Sequence, residues 1–154
     1  MGLVRPASRL ARAPGLAYLG PQAPHFHRFM TAHDAAAIAL RAIPLLDLTS
    51  LGEDDTPASI ERLCAAAAGQ GGAPAAVCVY PEHIVTARRA LDACGLAAVR
   101  VATVVNFPDG GSDAGRVRRE TRRAVAAGAD EVDVVLPWRA WLAGERRAAL
   151  AVLA

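Results

Sequence analysis

The sequence predicts an α/β fold in which parallel strands alternate with helices. Short apolar runs rich in β-branched residues begin near positions 43, 75, 100 and 131, as expected for buried strands. A pattern of helical period fills each gap between these runs. The chain has 154 residues, of which 53% are hydrophobic, enough for one domain of ordinary size. Regular alternation of this kind argues for a parallel sheet with right-handed crossovers.

The first elements follow from cap and strand signals. Asp34 is placed to cap a short alanine-rich helix that ends near Arg41, and the first strand is predicted over 43–49. Thr56 followed by Pro57 is typical of a helix start, with threonine at the N-cap and proline in the first turn. The apolar face of this second helix is predicted to consist of Ile60, Leu63, Cys64 and Ala67.

The next elements repeat the pattern. A second strand is predicted over 75–80, and Pro81 opens a helix that Gly95 closes. The third strand is predicted over 100–105, followed by a loop over 106–112 and a helix over 113–127 that ends at Gly128. The chain is predicted to be helical from Trp138 onward. The residues expected to face inward from the helix after Pro81 are Ile84, Ala87, Leu91 and Cys94.

The fourth strand, within residues 130–137, carries an unusual pattern. Side chains alternate along a strand, so Glu131 and Asp133 share one face with Val135. A buried parallel strand should be apolar on both faces, and an ionised carboxylate away from water is costly unless it is paired. Two interpretations remain open from this run alone: an edge strand with a solvated face, or a carboxylate with a chemical role.

Polar residues at the strand ends favour a barrel over a doubly wound sheet. A dinucleotide-binding sheet would carry a glycine-rich loop after its first strand, whereas residues 47–51 read Asp-Leu-Thr-Ser-Leu. A (β/α)8 barrel places its active-site residues at the carboxyl ends of the strands. A complete barrel needs about 250 residues and eight strands, and this sequence predicts four strands. The polar or reactive residues near the predicted strand ends are Asp47, Thr49, Cys78, Tyr80, Asn106 and Asp133.

Composition excludes several classes of protein. A net charge of +2 provides little attraction to nucleic acid or anionic membranes, and no apolar run is long enough for a membrane-spanning helix. The cysteines lack metal-binding or disulfide-framework spacing, so we expect reduced thiols, a cytoplasmic location and no metal. All 17 basic residues are arginine. Arginine stays protonated at working pH and forms no Schiff base.

Residues 1–33 differ from the rest of the chain. They carry Arg5, Arg9, Arg12 and Arg28 without an acidic residue, together with four prolines. We expect a disordered extension or a misplaced start site, with a transit peptide as the alternative, and we assign residues 34–154 to the folded domain. His25 and His27 have no acidic or cysteine neighbour in sequence, so they are predicted to be surface residues and not metal ligands.

Four segments give the chain a specific resemblance. Residues 46–57 (LDLTSLGEDDTP), 75–81 (AAVCVYP), 100–110 (RVATVVNFPDG) and 128–137 (GADEVDVVLP) resemble deoxyribose-phosphate aldolase in order and spacing. The resemblance extends from Ala35 to the last residue. It implies the N-terminal half of a (β/α)8 TIM barrel, about four parallel strands alternating with helices and preceded by a short helix.

The family resemblance also implies an activity. The family reversibly cleaves 2-deoxy-D-ribose 5-phosphate to D-glyceraldehyde 3-phosphate and acetaldehyde, a lyase reaction of deoxyribonucleotide catabolism. It uses a lysine Schiff base and needs neither cofactor nor metal. By correspondence, Asp133 matches the catalytic aspartate that shuttles protons, and Asp47 and Cys78 match residues of the substrate pocket. Cys78 is equally well interpreted as a small buried hydrophobe. Asp130 matches a family residue too, but lies on the face opposite Asp133.

The family's two lysines belong to the sixth and seventh strands, and its phosphate-binding loops follow the seventh and eighth. Because this sequence ends after the fourth, we expect a fragment that is inactive alone, whether truncated or a partial gene model. A half-barrel would expose two sheet edges and apolar surface, so we expect poor solubility, a molten state or self-association of two copies.

Two alternatives come from other classes of protein. The chain could be a non-catalytic half-barrel that binds a separately encoded C-terminal half. Less favoured is a nucleic-acid-binding helix, because a solvated outer helix of a barrel predicts the same residues. The arginines concerned are Arg116, Arg118, Arg119, Arg122 and Arg123.

Overall fold

A computed structural model describes residues 32–69 and 71–154, and Ala36–Ala154 form one compact unit. Helices and strands alternate through these residues, as predicted. Two 3₁₀ turns, Ile43–Leu45 and Pro81–His83, add to the regular elements. In chain order the regular elements are α1 (Ala32–Ala42), β1 (Asp47–Ser50), α2 (Pro57–Ala66), β2 (Ala76–Val79), α3 (Ile84–Ala93), β3 (Arg100–Val105), α4 (Ala114–Ala126), β4 (Glu131–Val134), α5 (Trp138–Leu142) and α6 (Arg146–Leu150).

The four strands form one parallel sheet in the order β1-β2-β3-β4. A doubly wound sheet reverses its strand order at a switch point, and this sheet does not. Sequential order with a helix between successive strands is the arrangement of a barrel wall. Within the described residues, β1 and β4 are the outer strands of this sheet.

One face of the sheet carries the main core. Val77, Val79 and Val101 project from β2 and β3 and pack against Ile60 of α2 and Leu91 of α3, all with no exposed surface. Each fully buried side chain of this size contributes roughly 1.5–3 kcal/mol. This core holds the helices against one face of the sheet, and the other face carries a smaller buried cluster.

The helix boundaries have clear local causes. Thr56 Oγ1 accepts a hydrogen bond from the Ser59 amide at 3.2 Å, while the Ser59 hydroxyl accepts one from the Thr56 amide at 2.8 Å. This reciprocal pair is the capping box that begins α2 and confirms the predicted start. Gly95, with φ of +74°, follows the end of α3 in a left-handed conformation, which glycine adopts without steric cost.

Four local predictions were wrong. Helix α1 begins at Ala32, so Asp34 lies in its first turn and is not its N-cap. The first strand begins at Asp47, because Pro44 lies in a 3₁₀ turn over Ile43–Leu45 and has no amide for a ladder. Pro81 likewise opens a 3₁₀ turn, and α3 begins only at Ile84. Cys94 is exposed, since it is the C-cap of α3 and not part of its inner face.

The C-terminal segment also differs from prediction. In place of one continuous helix, α5 and α6 are separated at Gly144, whose φ is +85°. A left-handed residue ends a helix, so the short connection turns the chain.

Residues 1–31 lie outside the described part of the chain, and so do the expectations for an extension over 1–33 and for His25 and His27. Among the described residues, no helix is long and apolar enough to cross a membrane.

Candidate active site

The second face of the sheet is where the predicted site residues lie. In a parallel ladder, paired residues project to the same side. Thr49 pairs with Cys78, Cys78 pairs with Ala102, and Val104 pairs with Asp133. The buried members of this face are Ala76, Cys78, Ala102 and Val104, against which Leu51 and Tyr80 pack.

The three predicted site residues are brought to this one face by three different strands. Asp47 begins β1, Cys78 lies in β2 and Asp133 lies in β4. Cys78 is 4% exposed, whereas Asp47 and Asp133 are exposed. The exposure of the two carboxylates follows from their position in the edge strands, where the sheet ends on one side.

The shared face places the Cys78 thiol near negative charge. The pKa of the Cys78 thiol is raised to about 11, first by burial, then by the negative charges of Asp133 and Asp47, with a smaller contribution from Glu131. A hydrogen bond with Thr49 acts in the opposite direction. Burial and neighbouring anions both disfavour the thiolate. At neutral pH this thiol is therefore protonated and a weak nucleophile.

A carboxylate organises the loop after β1. The Ser50 hydroxyl donates one bifurcated hydrogen bond to the two carboxylate oxygens of Asp55, at 3.0 and 2.9 Å. Asp55 also accepts from the Gly52 amide and the Ser59 hydroxyl. The pKa of Asp55 is lowered, mainly by the Ser50 hydrogen bond. Because these donors favour the ionised form, Asp55 holds the end of β1 against the start of α2.

Asn106 organises the loop after β3. Its side chain donates to the carbonyl oxygens of Gly111 and Val135, both at 2.8 Å, and accepts from Arg116 at 2.9 Å. Its backbone amide donates to the Glu120 carboxylate at 2.9 Å. Asn106 is 1% exposed, so these bonds satisfy a polar group that burial would otherwise penalise.

An aromatic pair lies beside the carboxyl ends of β2 and β3. The rings of Tyr80 and Phe107 meet edge to face with centroids 5.8 Å apart. They contribute to a cleft of about 490 Å³ that also contains Glu82, Glu120 and Arg123. In α/β sheets, crevices at the carboxyl ends of strands are the usual ligand sites.

Asp130 has a different environment from Asp133. It accepts hydrogen bonds from the Arg88 guanidinium of α3 and from the Val101 amide, the latter at 2.8 Å. Arg88 also donates to the Val99 carbonyl at 3.1 Å. Asp130 therefore joins a helix to the amino ends of β3 and β4, away from the open face, as its sequence position predicted.

The arginines of α4 are not equivalent. Arg116 donates a hydrogen bond to the Asn106 side chain and forms an ion pair with Glu120 at 3.3 Å. The opposite side of α4 packs inward, because Val117 and Ala124 are buried and Thr121 is half-buried. The exposed arginines on the solvent side are Arg118, Arg119, Arg122 and Arg123.

Sequence reasoning missed two parts of this site. The roles of Asp55 and Glu120 depend on partners in other elements, and neither residue stands out by composition. The only local signal was the polar cluster after β1, where residues 53–56 read Glu-Asp-Asp-Thr. Among the described residues, no cluster of three or more histidine, cysteine or acidic side chains has the geometry to hold a metal ion.

Fold and site together define half of a (β/α)8 barrel with an acidic, thiol-containing open face. Residues 41–154 match the model of the DeoC/LacD family of aldolases. The chain belongs to this family.

Solved structures agree with that assignment. A candidate deoxyribose-phosphate aldolase from Coccidioides immitis is 30% identical, with a TM-score of 0.63, over 73% of this chain and 44% of its own. An aldolase named QR15 is 26% identical, with a TM-score of 0.61, over 73% and 48%. A candidate deoxyribose-phosphate aldolase from Toxoplasma gondii, at 23% identity and a TM-score of 0.64 over 82% and 50%, shares the fold. This chain spans about half the length of these structures, which confirms the half-barrel.

Proposed function

We propose that this chain provides the proton-handling half of a deoxyribose-phosphate aldolase site. The reaction is the reversible retro-aldol cleavage of 2-deoxy-D-ribose 5-phosphate to D-glyceraldehyde 3-phosphate and acetaldehyde, a step of deoxyribonucleotide catabolism in the cytoplasm. The observation that carries the proposal is the convergence of Asp47, Cys78 and Asp133 on one sheet face in a chain of this aldolase family.

In this proposal Asp133 accepts and returns protons. A carboxylate held near the carboxyl end of a barrel strand can act as a general base and then as a general acid during Schiff-base formation and carbon–carbon cleavage. Asp47 maintains the polar surroundings, and the protonated Cys78 thiol occupies the floor of the pocket. None of the three serves as the amine nucleophile.

The amine must come from residues other than these. A class I aldolase forms an imine between a lysine and its carbonyl substrate, and the imine is the electron sink for cleavage. These 154 residues include no lysine. We therefore expect purified residues 1–154 to show no cleavage of 2-deoxyribose 5-phosphate in a coupled assay for glyceraldehyde 3-phosphate, and turnover that copurifies with this polypeptide would contradict the proposal.

A chimera tests the role of Asp133 directly. Residues 41–154 would replace the corresponding half of the Coccidioides immitis protein, so that the remaining half provides the rest of the barrel. If the chimera cleaves the substrate, Asp133→Asn is expected to lower kcat by about 10²–10⁴-fold. Glu131→Gln, on the same strand and face, is the matched control and should retain most of the activity. Equal activity of the Asp133→Asn and parent chimeras would refute the assignment.

The open face also favours a second candidate function, a half-barrel that binds a separately encoded complement. Asp47, Glu131 and Asp133 place three carboxylates on this face, with Arg100 as the counter-charge in the ladder. Such a face favours a complement with cationic side chains. Translation of the neighbouring reading frame, followed by co-expression and co-purification with residues 1–154, tests this function. Recovery of the chain without any complement would contradict it.

A further inference from the structure

Asn106 holds a backbone position that few residues tolerate. Its φ is +57°, in the left-handed region, where asparagine is several-fold enriched over other non-glycine residues. In this conformation its carbonyl oxygen accepts from the Gly110 amide at 2.9 Å, while its amide donates to Glu120. The residue thus turns the chain sharply at the carboxyl end of β3 with its backbone groups paired.

The Asn106 side chain reaches from this turn to the end of the neighbouring strand. Its Nδ2 donates to the Val135 carbonyl at 2.8 Å, just after the last residue of β4. The Val135 amide donates to the Val105 carbonyl at 3.1 Å. Both backbone groups of Val135 are therefore bound to consecutive residues at the end of β3.

The loop that follows Asn106 also lies against the residues just after β4. A Cβ atom at Gly110 would lie only 2.5 Å from the Leu136 carbonyl oxygen. Gly110 is buried and has a φ of +64°, so the loop approaches the strand end as closely as glycine allows.

These contacts bear on Asp133 because β4 is short and bound on one side. It has four residues and pairs with β3 alone within the described chain. Asp133 lies two residues before Val135 and projects to the same face. Whatever fixes the Val135 backbone therefore limits the movement of the Asp133 carboxylate.

We propose that Asn106 is a positioning residue for Asp133, acting through the backbone of β4, and that the Arg116–Glu120 pair holds Asn106 in place. The importance of this placement for catalysis rests on the proposed function. The placement itself is measurable in residues 1–154 without turnover, so failure of this inference and failure of the proposed function are distinguishable.

The ladder places the Cys78 thiol on the same face as Asp133, so its reactivity is expected to depend on the position of that carboxylate. Burial raises the pKa of this thiol most, and the charges of Asp133, Asp47 and Glu131 raise it further, against the hydrogen bond with Thr49. Loss of one nearby anion lowers the pKa, since the thiolate is no longer repelled by it. Asp133→Asn is therefore expected to raise the rate of Cys78 alkylation by iodoacetamide at pH 9 about two- to threefold, followed peptide by peptide with mass spectrometry.

Asn106→Gly isolates the side chain of Asn106. Glycine keeps the left-handed backbone available and removes the hydrogen bonds to Val135, Gly111 and Arg116. If Asn106 positions Asp133, this variant should raise Cys78 alkylation in the same direction as Asp133→Asn. In the Asp133→Asn background it should add nothing further, because the charge that it displaces is already absent.

Arg116→Gln provides a second variant should Asn106→Gly not fold. Loss of a cation alone would disfavour the thiolate and slow alkylation, whereas loosening of Asn106 would speed it. Faster alkylation in Arg116→Gln, again abolished in the Asp133→Asn background, supports the proposal, and slower or unchanged alkylation overturns it.

Ile60→Val is the control for a general loss of stability, since Ile60 is buried on the other face of the sheet. It should lower Tm without changing Cys78 alkylation. An Asn106→Gly variant that lowers Tm and leaves alkylation unchanged would reduce Asn106 to a structural role. The proposal would also be overturned if Asn106→Gly raised the rate of Cys78 alkylation equally in the parent and in the Asp133→Asn background. Faster Cys78 alkylation in Ile60→Val would overturn it as well.

Discussion

At the scale of single residues, the described site depends on how each polar group is satisfied. Asp55 and Asn106 each gather several donors or acceptors from loop and helix. Asp133 instead remains exposed on an open face. The fold binds Asp55 and Asn106 in place and leaves Asp133 accessible, as the proposed proton transfer requires.

Asp55 should make folding stability depend on acid pH. Its pKa is lowered, first by the Ser50 hydroxyl, so the folded state favours the ionised form. The stabilisation is present above the unfolded-state pKa, near 4, and is lost as pH falls through the lower folded-state pKa. Urea unfolding should therefore show that the parent has a higher free energy of unfolding than Asp55→Asn at pH 7, and that this difference is smaller at pH 3.

Asp54→Asn is the matched control for this experiment. Asp54 is the exposed neighbour of Asp55, so Asp54→Asn should have the same free energy of unfolding as the parent at both pH values. A parent–Asp55→Asn difference that stays constant or widens on acidification would contradict the role given to Asp55.

At the scale of elements, the sheet is held at both ends by side chains that cross between strands and helices. Asn106 joins β3, α4 and β4 at the carboxyl end. Asp130 and Arg88 join α3, β3 and β4 at the amino end. Because barrel chemistry occurs at the carboxyl end, contacts at the amino end are expected to affect stability alone.

Asp130→Ala should destabilise the fold without altering the open face. It leaves the amide of the buried Val101 without its carboxylate acceptor, which costs about 1–3 kcal/mol of unfolding free energy. Urea denaturation measures the loss. Asp92→Ala removes a contact of Arg88 that spans 4.0 Å on the surface and should change stability by less than about 0.5 kcal/mol. Equal losses in the two variants would show that Asp130 is an ordinary surface acid.

At the scale of the whole molecule, apolar side chains remain exposed beside both edge strands. Leu45 and Leu46 precede β1 and are 80% and 55% exposed, and Trp138 and Leu142 follow β4 at 44% and 77%. Burying any of these residues would contribute favourably to association.

We predict that residues 1–154 self-associate through these edges. Sedimentation velocity should show a concentration-dependent shift from monomer, weakened by Leu46→Glu and by Leu142→Glu. Val85→Glu is the control, because Val85 is 46% exposed on α3, away from either edge strand. A monomer at every concentration, or equal effects of all three substitutions, would contradict the prediction.

Local signals in the sequence were sufficient to predict most of the elements. The spacing of β-branched runs predicted the four strands, and Thr56 with Pro57 predicted the start of α2, because caps and strand periodicity depend on neighbours in the chain. Alternation along residues 131–135 placed Glu131 and Asp133 on one face before any partner was known. The same reasoning failed at 43–46 and at Cys94, where a 3₁₀ turn and a helix cap replaced the expected strand and core position.

Only the tertiary structure decided which distant groups meet. The parallel register from β1 to β4 brings Asp47, Cys78 and Asp133 onto one face. The left-handed turn at Asn106 brings its side-chain amide to the end of β4. The sequence determined which side chains could carry charge, hydrogen bonds or a thiol. Their function depends on distances between strands, and such distances exist only once the hydrophobic face has packed and fixed the ladder.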